Sequence, residues 1–367
     1  MSAITVGGDL VHYEVLGRGG RPVILLHGWF GSWRYWIPTM RQLQLKFRVY
    51  AIDLFGYGDS SKNPEKYSIE SQMRLLSEFM QQLGIPKAAF IGHGLGAQVI
   101  TEFAFRNPDR VARLLISSAP LFSVPDLETR QPQVERRVLL TNNANANNKP
   151  AREPLADKST INPDDVQDSA DGIDAPTIPS ASSEQMRNQV DREKLRQAAM
   201  AQGTPIIRNA EHVEPTKSNA APRRDANRLL VEALSGGPEA LLARSFRRSE
   251  PQFDKLLPDV LRSDARVIQS STRSFDAGVM LDRLRLLTIP TVIVHGEDDP
   301  VIKAPDEQVW HYLTETKEDL LLPVPLPGVR HFPMLETETF QRLMTQFLEN
   351  PDISSIEVKE RWRRRAR

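Results

Sequence analysis

Four short apolar runs in the first third of the chain restrict its fold more than any other feature. "RPVILLHG", "FRVYAIDL", "AAFIGHG" and "VARLLISS" each close in a polar or glycine turn. Continuous apolar runs of this length read as strands buried on both faces, and such strands need helices to cover them. The intervening segments supply those helices. In "SIESQMRLLSEFMQQLG", Ile69, Met73, Leu76, Phe79, Met80 and Leu83 share one helical face and Gly84 supplies a stop. Met and Phe at this spacing are core, not a ligand box. "GAQVITEFAFRNP" gives a second apolar helix that ends before Pro108. Strands alternating with helices in this way predict an α/β class with a mostly parallel central sheet flanked by helices.

The character changes after Phe122. Residues Ser123 to Ser245 include no Phe, Tyr or Trp, and stretches such as "TNNANANNKPAREP" are polar and proline-dotted. So few large apolar side chains cannot offset the entropy of ordering, so disorder is expected over residues 127–227. Order is expected to return with helices in "PQFDKLLPDVLRSDARVI" and "VMLDRLRLL", a strand in "TVIVHGEDDP", a proline-marked edge strand in "LLLPVPLPG" and a closing helix in "TETFQRLMTQFLE". The expected organisation is a core of residues 1–122 and 275–348, an insertion of residues 123–274 and a basic tail of residues 349–367. That tail, with the insertion, is the candidate for a protein or anionic-surface contact; its plainer reading is a solvated terminus.

Lys and Arg balance Asp and Glu at 47 each, so no global field steers the chain toward nucleic acid, and no nucleic-acid partner is expected. The absence of cysteine excludes thiolate chemistry and disulfides. The N-terminus lacks the pattern of a secretory signal and no window matches a membrane span, so a cytoplasmic protein is expected. The seven histidines show no H-x-x-x-H spacing, so no metal or cofactor is implied.

Four local features then follow in one order. "LLHGWFGSW" ends a strand at His27 and Gly28, where backbone N–H groups can face a cleft and stabilise an oxyanion. "DLFGYGDSS" reads as a turn in which Gly56 and Gly58 take unusual backbone angles and Asp53 or Asp59 binds backbone donors. "FIGHGLGAQV" is a strand, a tight turn and a helix, with the pattern Gly92-His93-Gly94-Leu95-Gly96 where a G-x-S-x-G turn would present a nucleophile. Gly92, Gly94 and Ala97 also satisfy a relaxed dinucleotide fingerprint, but the next strand ends in Ser117 and Ser118 and not in the acidic residue that holds a ribose. Finally, "HGEDDP" and "GVRHFPMLE" place Asp299 and then His331 in later loops, the order nucleophile, acid, histidine.

On these motifs the chain resembles the α/β-hydrolase superfamily, in particular its lid-bearing group of esterases, epoxide hydrolases, haloalkane dehalogenases and carbon–carbon bond hydrolases. The resemblance covers residues 1 to about 122 and about 275 to 348, and it implies that residues 123–274 are an inserted lid. It further implies that Trp29 and Leu95 supply the oxyanion-hole N–H groups, that Asp299 is the acid counted from Gly296, and that His331 is the general base. Gly94 falls at the nucleophile position, and there the match fails.

Glycine has no side chain to attack with, so no covalent intermediate can form at position 94. Ser117 and Ser118 at the end of the next strand and Ser32 in the first loop are the candidate substitute hydroxyls, but none is expected in a strained strand-to-helix turn. Two classes therefore stay open: a non-catalytic protein that binds a small molecule in the cleft, or a non-covalent enzyme in which His331 and Asp299 activate water or abstract a proton. A third reading is an engineered loss of serine from an ordinary hydrolase acting on small ester-like substrates.

Overall fold

The computed structural model describes residues 2–132, 228–315 and 319–356. These belong to one compact unit. Most of the segment expected to be disordered, and the end of the basic tail, lie outside the described residues.

Eight strands form one sheet: β1 (Ser2–Val6), β2 (Asp9–Leu16), β3 (Arg21–Leu26), β4 (Phe47–Ile52), β5 (Ala88–His93), β6 (Val111–Ser117), β7 (Thr291–Gly296) and β8 (Leu321–Leu326), in the order β1-β2-β4-β3-β5-β6-β7-β8. From β4 to β8 every pairing is parallel. The apolar runs read as buried strands are these central strands. All six residues of β5 and of β7 are buried, and Leu25, Ile91, Leu115 and Val292 pair side by side across four strands with no exposure. Only β1 and β2 run antiparallel, joined through Gly7 and Gly8 at positive φ. This hairpin is additional to the strands expected from sequence.

Among the described residues the helices include α1 (Ile37–Leu43), α2 (Ile69–Gln82), α3 (Leu95–Arg106), α4 (Gly237–Ser245), α5 (Pro251–Arg262), α6 (Ala265–Arg273), α7 (Ala277–Leu286), α8 (Glu307–Thr314), α9 (Pro333–Glu336) and α10 (Glu338–Glu349). Helix α2 begins where the Ser68 side chain accepts from Ser71 N and buries Met73, Leu76, Phe79 and Met80, the stripe expected from its 3.6-residue period. Strand β8 carries Pro323 and Pro325 and lies at the sheet edge, where a missing N–H is tolerated. Helices α4 to α6 fall within the stretch expected to form the lid. No helix among the described residues is long and apolar enough to cross a membrane.

Candidate active site

Because β3 and β5 to β8 are parallel, the loops that leave their C-terminal ends converge on one rim of the sheet, where open α/β sheets place ligands. His27, Gly28 and Trp29 follow β3, Gly94 follows β5, Ser118 follows β6, Asp299 follows β7 and His331 follows β8. The motifs that are scattered along the sequence therefore meet in space.

Asp299 and His331 are joined. The Nδ1 of His331 donates to the Asp299 carboxylate, 2.8 Å from Oδ2 and 3.1 Å from Oδ1, and both side chains are fully buried. The N–H groups of Val301 and Ile302 also donate to Asp299 Oδ1 at 2.8 and 3.0 Å. Burial opposes charge on Asp299, but the facing His331, its hydrogen bond and the Val301 N–H outweigh that and hold the carboxyl at about 2. Gly296 makes the approach possible, since a Cβ there would strike the carbonyl oxygens of Val329 and Arg330. With the Nδ1 proton committed to Asp299, the remaining ring nitrogen, Nε2, is buried without a hydrogen-bond partner. The ring is sandwiched by aromatics: Phe30 stacks on it at 5.2 Å and 13°, and His93 meets it edge-on at 4.7 Å.

Gly94 caps α3 with φ 52° and ψ −109°, a conformation that costs an L residue strain. The glycines around it permit the tight turn, since a Cβ on Gly96 would lie 2.5 Å from the Leu26 carbonyl oxygen. Trp29 and Leu95 are wholly buried, and neither backbone N–H donates to any acceptor among the described residues. Two orphan backbone donors, one on Leu95 next to Gly94 and one on Trp29, whose ring lies against Gly94, thus share this rim of the sheet with one orphan imidazole nitrogen. Buried polar groups left without partners are uncommon enough to call for an explanation.

Tyr35, which sequence reasoning did not single out, and His93, read as a packing and hydrogen-bonding residue of the turn, hold this arrangement. The Gly28 N–H donates to Tyr35 Oη at 2.6 Å, the Tyr35 hydroxyl donates to His93 Nδ1 at 3.0 Å, and His93 Nε2 donates to the His331 carbonyl at 2.8 Å. Burial pushes the His93 imidazole well below its ordinary value, so the ring is neutral and one tautomer satisfies the whole chain of bonds. Ser118 Oγ also donates to the His331 carbonyl, at 3.1 Å. Ser118 adopts a strained backbone, with φ 48°, but no helix follows it, so it does not sit in a strand-to-helix turn like that of Gly94. Ser32 Oγ is committed to Asp259 at 2.8 Å. Ser117 Oγ is buried without a partner. None of these serines has a hydrogen bond to the His331 ring.

The turn after β4 is structural, as read from sequence. Gly56 and Gly58 take positive φ, and the buried Asp53 accepts from Trp33 N and Asp59 N and pairs with His12. His12, Asp53 and Asp59 are close enough to hold an ion, but these bonds already occupy Asp53. A groove of about 670 Å³ bounded by α1, α5 and the Met334–Gln341 stretch touches Tyr35 but contains neither Gly94 nor His331.

Known proteins resemble this chain in sequence and in fold. The chain is 38% identical over 141 residues to bifunctional epoxide hydrolase 2 of Rattus norvegicus, a match covering 37% of this chain and 24% of that protein. It is 38% identical over 111 residues to the soluble epoxide hydrolase of Corynebacterium sp. (strain C12), covering 30% and 38%. The matches thus span well under half the length of either relative. Among solved structures, the enol-lactonase from Burkholderia xenovorans LB400 aligns over 95% of this chain and 100% of its own with a TM-score of 0.57 at 16% identity, a likeness of fold alone. A family model for the alpha/beta hydrolase fold matches residues 21–309, from the first parallel strand past the Asp299 loop, and the chain belongs to that family.

Proposed function

We propose that the rim around Gly94 is a small-molecule site that works without a covalent nucleophile. His331, oriented by Asp299, acts as general base, and the N–H groups of Trp29 and Leu95 form the oxyanion hole. The observation that carries this reading is the set of three unpaired groups on this rim: one acceptor, His331 Nε2, and two donors. A water or an acidic C–H placed against Nε2 would lose its proton to the imidazole. The Nδ1–H···Asp299 bond stabilises the resulting imidazolium, and the oxygen that gains charge would accept from the two backbone donors. Gly94 occupies the position at which the fold otherwise presents its nucleophile, so the attacking group has to be water or the substrate itself.

Substrates whose reaction builds charge on one oxygen fit this set, namely small esters, lactones and epoxides. The names of the two epoxide hydrolase relatives put epoxides first in a screen. The test compares the unmodified chain with His331→Gln on 4-nitrophenyl acetate and styrene oxide. Turnover by the unmodified chain that falls roughly 10²–10⁴-fold in the variant is expected, and equal rates would refute the assignment. A second reading, ligand binding without turnover, is favoured by the complete burial of Trp29, Leu95 and His331. Saturable binding with no turnover by either protein would select it.

A further inference from the structure

Trp29 enters the reading above only through its backbone. Its side chain carries a separate observation. A Cβ built on Gly94 would lie 3.0 Å from both Cε3 and Cζ3 of the Trp29 indole, closer than methyl and ring carbons normally pack. The indole is fully buried, and its Nε1 donates to Ser271 Oγ on α6 at 3.1 Å. That hydroxyl donates in turn to the Ile268 carbonyl at 2.9 Å, so Ser271 accepts from the indole with its remaining capacity. The ring is thus latched to a helix in the stretch expected to form the lid, with its edge against the face of the turn where a nucleophile would stand.

We infer that Trp29 is the specificity-determining residue of this site: its indole takes the place of the missing side chain at position 94, and a ligand reaches His331 Nε2 only when that ring turns away from Gly94. The inference rests on the reading of this rim as the binding site, and it gives Gly94 a positive reason. Glycine is the residue that leaves room for the indole, so the two positions form a matched pair, in contrast to an ordinary hydrolase that has merely lost its serine. A space shaped by an indole would suit a planar, largely apolar group carrying one carbonyl or epoxide oxygen.

The pairing is tested by a double-mutant cycle of Gly94→Ser and Trp29→Ala, followed by urea unfolding and by labelling with a fluorophosphonate. Each single variant is expected to be destabilised, Gly94→Ser by the contact and the strained φ, Trp29→Ala by its cavity. The double variant is expected to be at least tenfold more stable in its unfolding constant than the two losses combined predict. It alone should react with the fluorophosphonate, because only there does a hydroxyl at position 94 have room beside His331. Strict additivity, or full labelling of Gly94→Ser with Trp29 in place, would overturn the inference. Coupled stabilities without labelling would leave the Trp29 pairing standing and count against His331 as base. The latch has its own readout. Ser271→Ala should raise the rate at which diethylpyrocarbonate modifies His331, followed by peptide mass, at least severalfold relative to His311. An unchanged ratio would show that Trp29 is packing and not a gate.

Discussion

Replacing Asp299 with asparagine tests both the electrostatics and the proton assignment of the buried pair. The native carboxylate accepts from Val301 N and Ile302 N through Oδ1 and from His331 Nδ1 mainly through Oδ2. In Asp299→Asn the amide oxygen keeps the two backbone donors, so the amide nitrogen faces His331 Nδ1. Two donors cannot face each other, and the imidazole proton has to move to Nε2. The variant therefore turns the orphan acceptor of the site into a donor. The stability cost follows from the carboxyl group, whose ordinary value of 3.8 is lowered to about 2 in the folded chain. A depression of this size corresponds to about 2 kcal/mol at neutral pH. The sign follows from proton binding: the unfolded chain takes up the proton first as pH falls. The contribution is full above about pH 4, roughly half gone by pH 3, and lost below pH 2. Urea unfolding of both proteins at pH 7 and pH 3 measures the difference, and long-range ¹⁵N correlation spectra report the tautomer of His331. A stability gap between the two proteins that is the same at pH 7 and pH 3, with the proton still on Nδ1, would refute the account of the pair.

Three further outcomes are expected. Tyr35→Phe leaves the buried Gly28 N–H and His93 Nδ1 without their shared partner and should cost about 2 kcal/mol in urea unfolding; no measurable loss would show that the chain of bonds is slack. Burial holds His27, His93 and His295 below their ordinary value of 6.5, so the unfolded chain binds protons that the folded one refuses. Stability should then decline as pH falls below about 6.5, by up to about 1.4 kcal/mol per pH unit for each histidine, and a flat profile between pH 6.5 and 5 would contradict it. A fluorophosphonate should leave the unmodified chain unlabelled, since the hydroxyls of Ser32 and Ser118 are committed elsewhere and none contacts the His331 ring; stoichiometric labelling of Ser117 or Ser118 would restore a serine hydrolase.

The parallel sheet was legible because buried strands leave continuous apolar runs, and β3 to β7 are those runs. The order Gly94, Asp299, His331 was legible because each residue lies just past the end of a strand, and strands order the loops along the rim. The β1–β2 hairpin was missed although it carried a signal: alternating residues on either side of Gly7-Gly8. What the sequence could not contain was the contact set of the site. Tyr35 reaches His93 across 58 positions, and Trp29 reaches Ser271 across 242. No periodicity encodes such pairs; they exist only once the sheet has brought the loops together. For that reason the sequence alone left open an ordinary hydrolase that had merely lost its serine at position 94, whereas in the fold the Trp29 indole lies against that position.

The central claim, chemistry at His331 without a covalent enzyme intermediate, is tested most directly by a single turnover of a hydrolysed substrate in H₂¹⁸O with intact-mass analysis of the protein. With Gly94 unable to attack, the chain should show no adduct at any quench time, and the diol formed from an epoxide should carry ¹⁸O from the first turnover. An acyl or alkyl adduct that forms and decays at the turnover rate would contradict the account and point to a nucleophile elsewhere on the rim, with Ser118 the first residue to map.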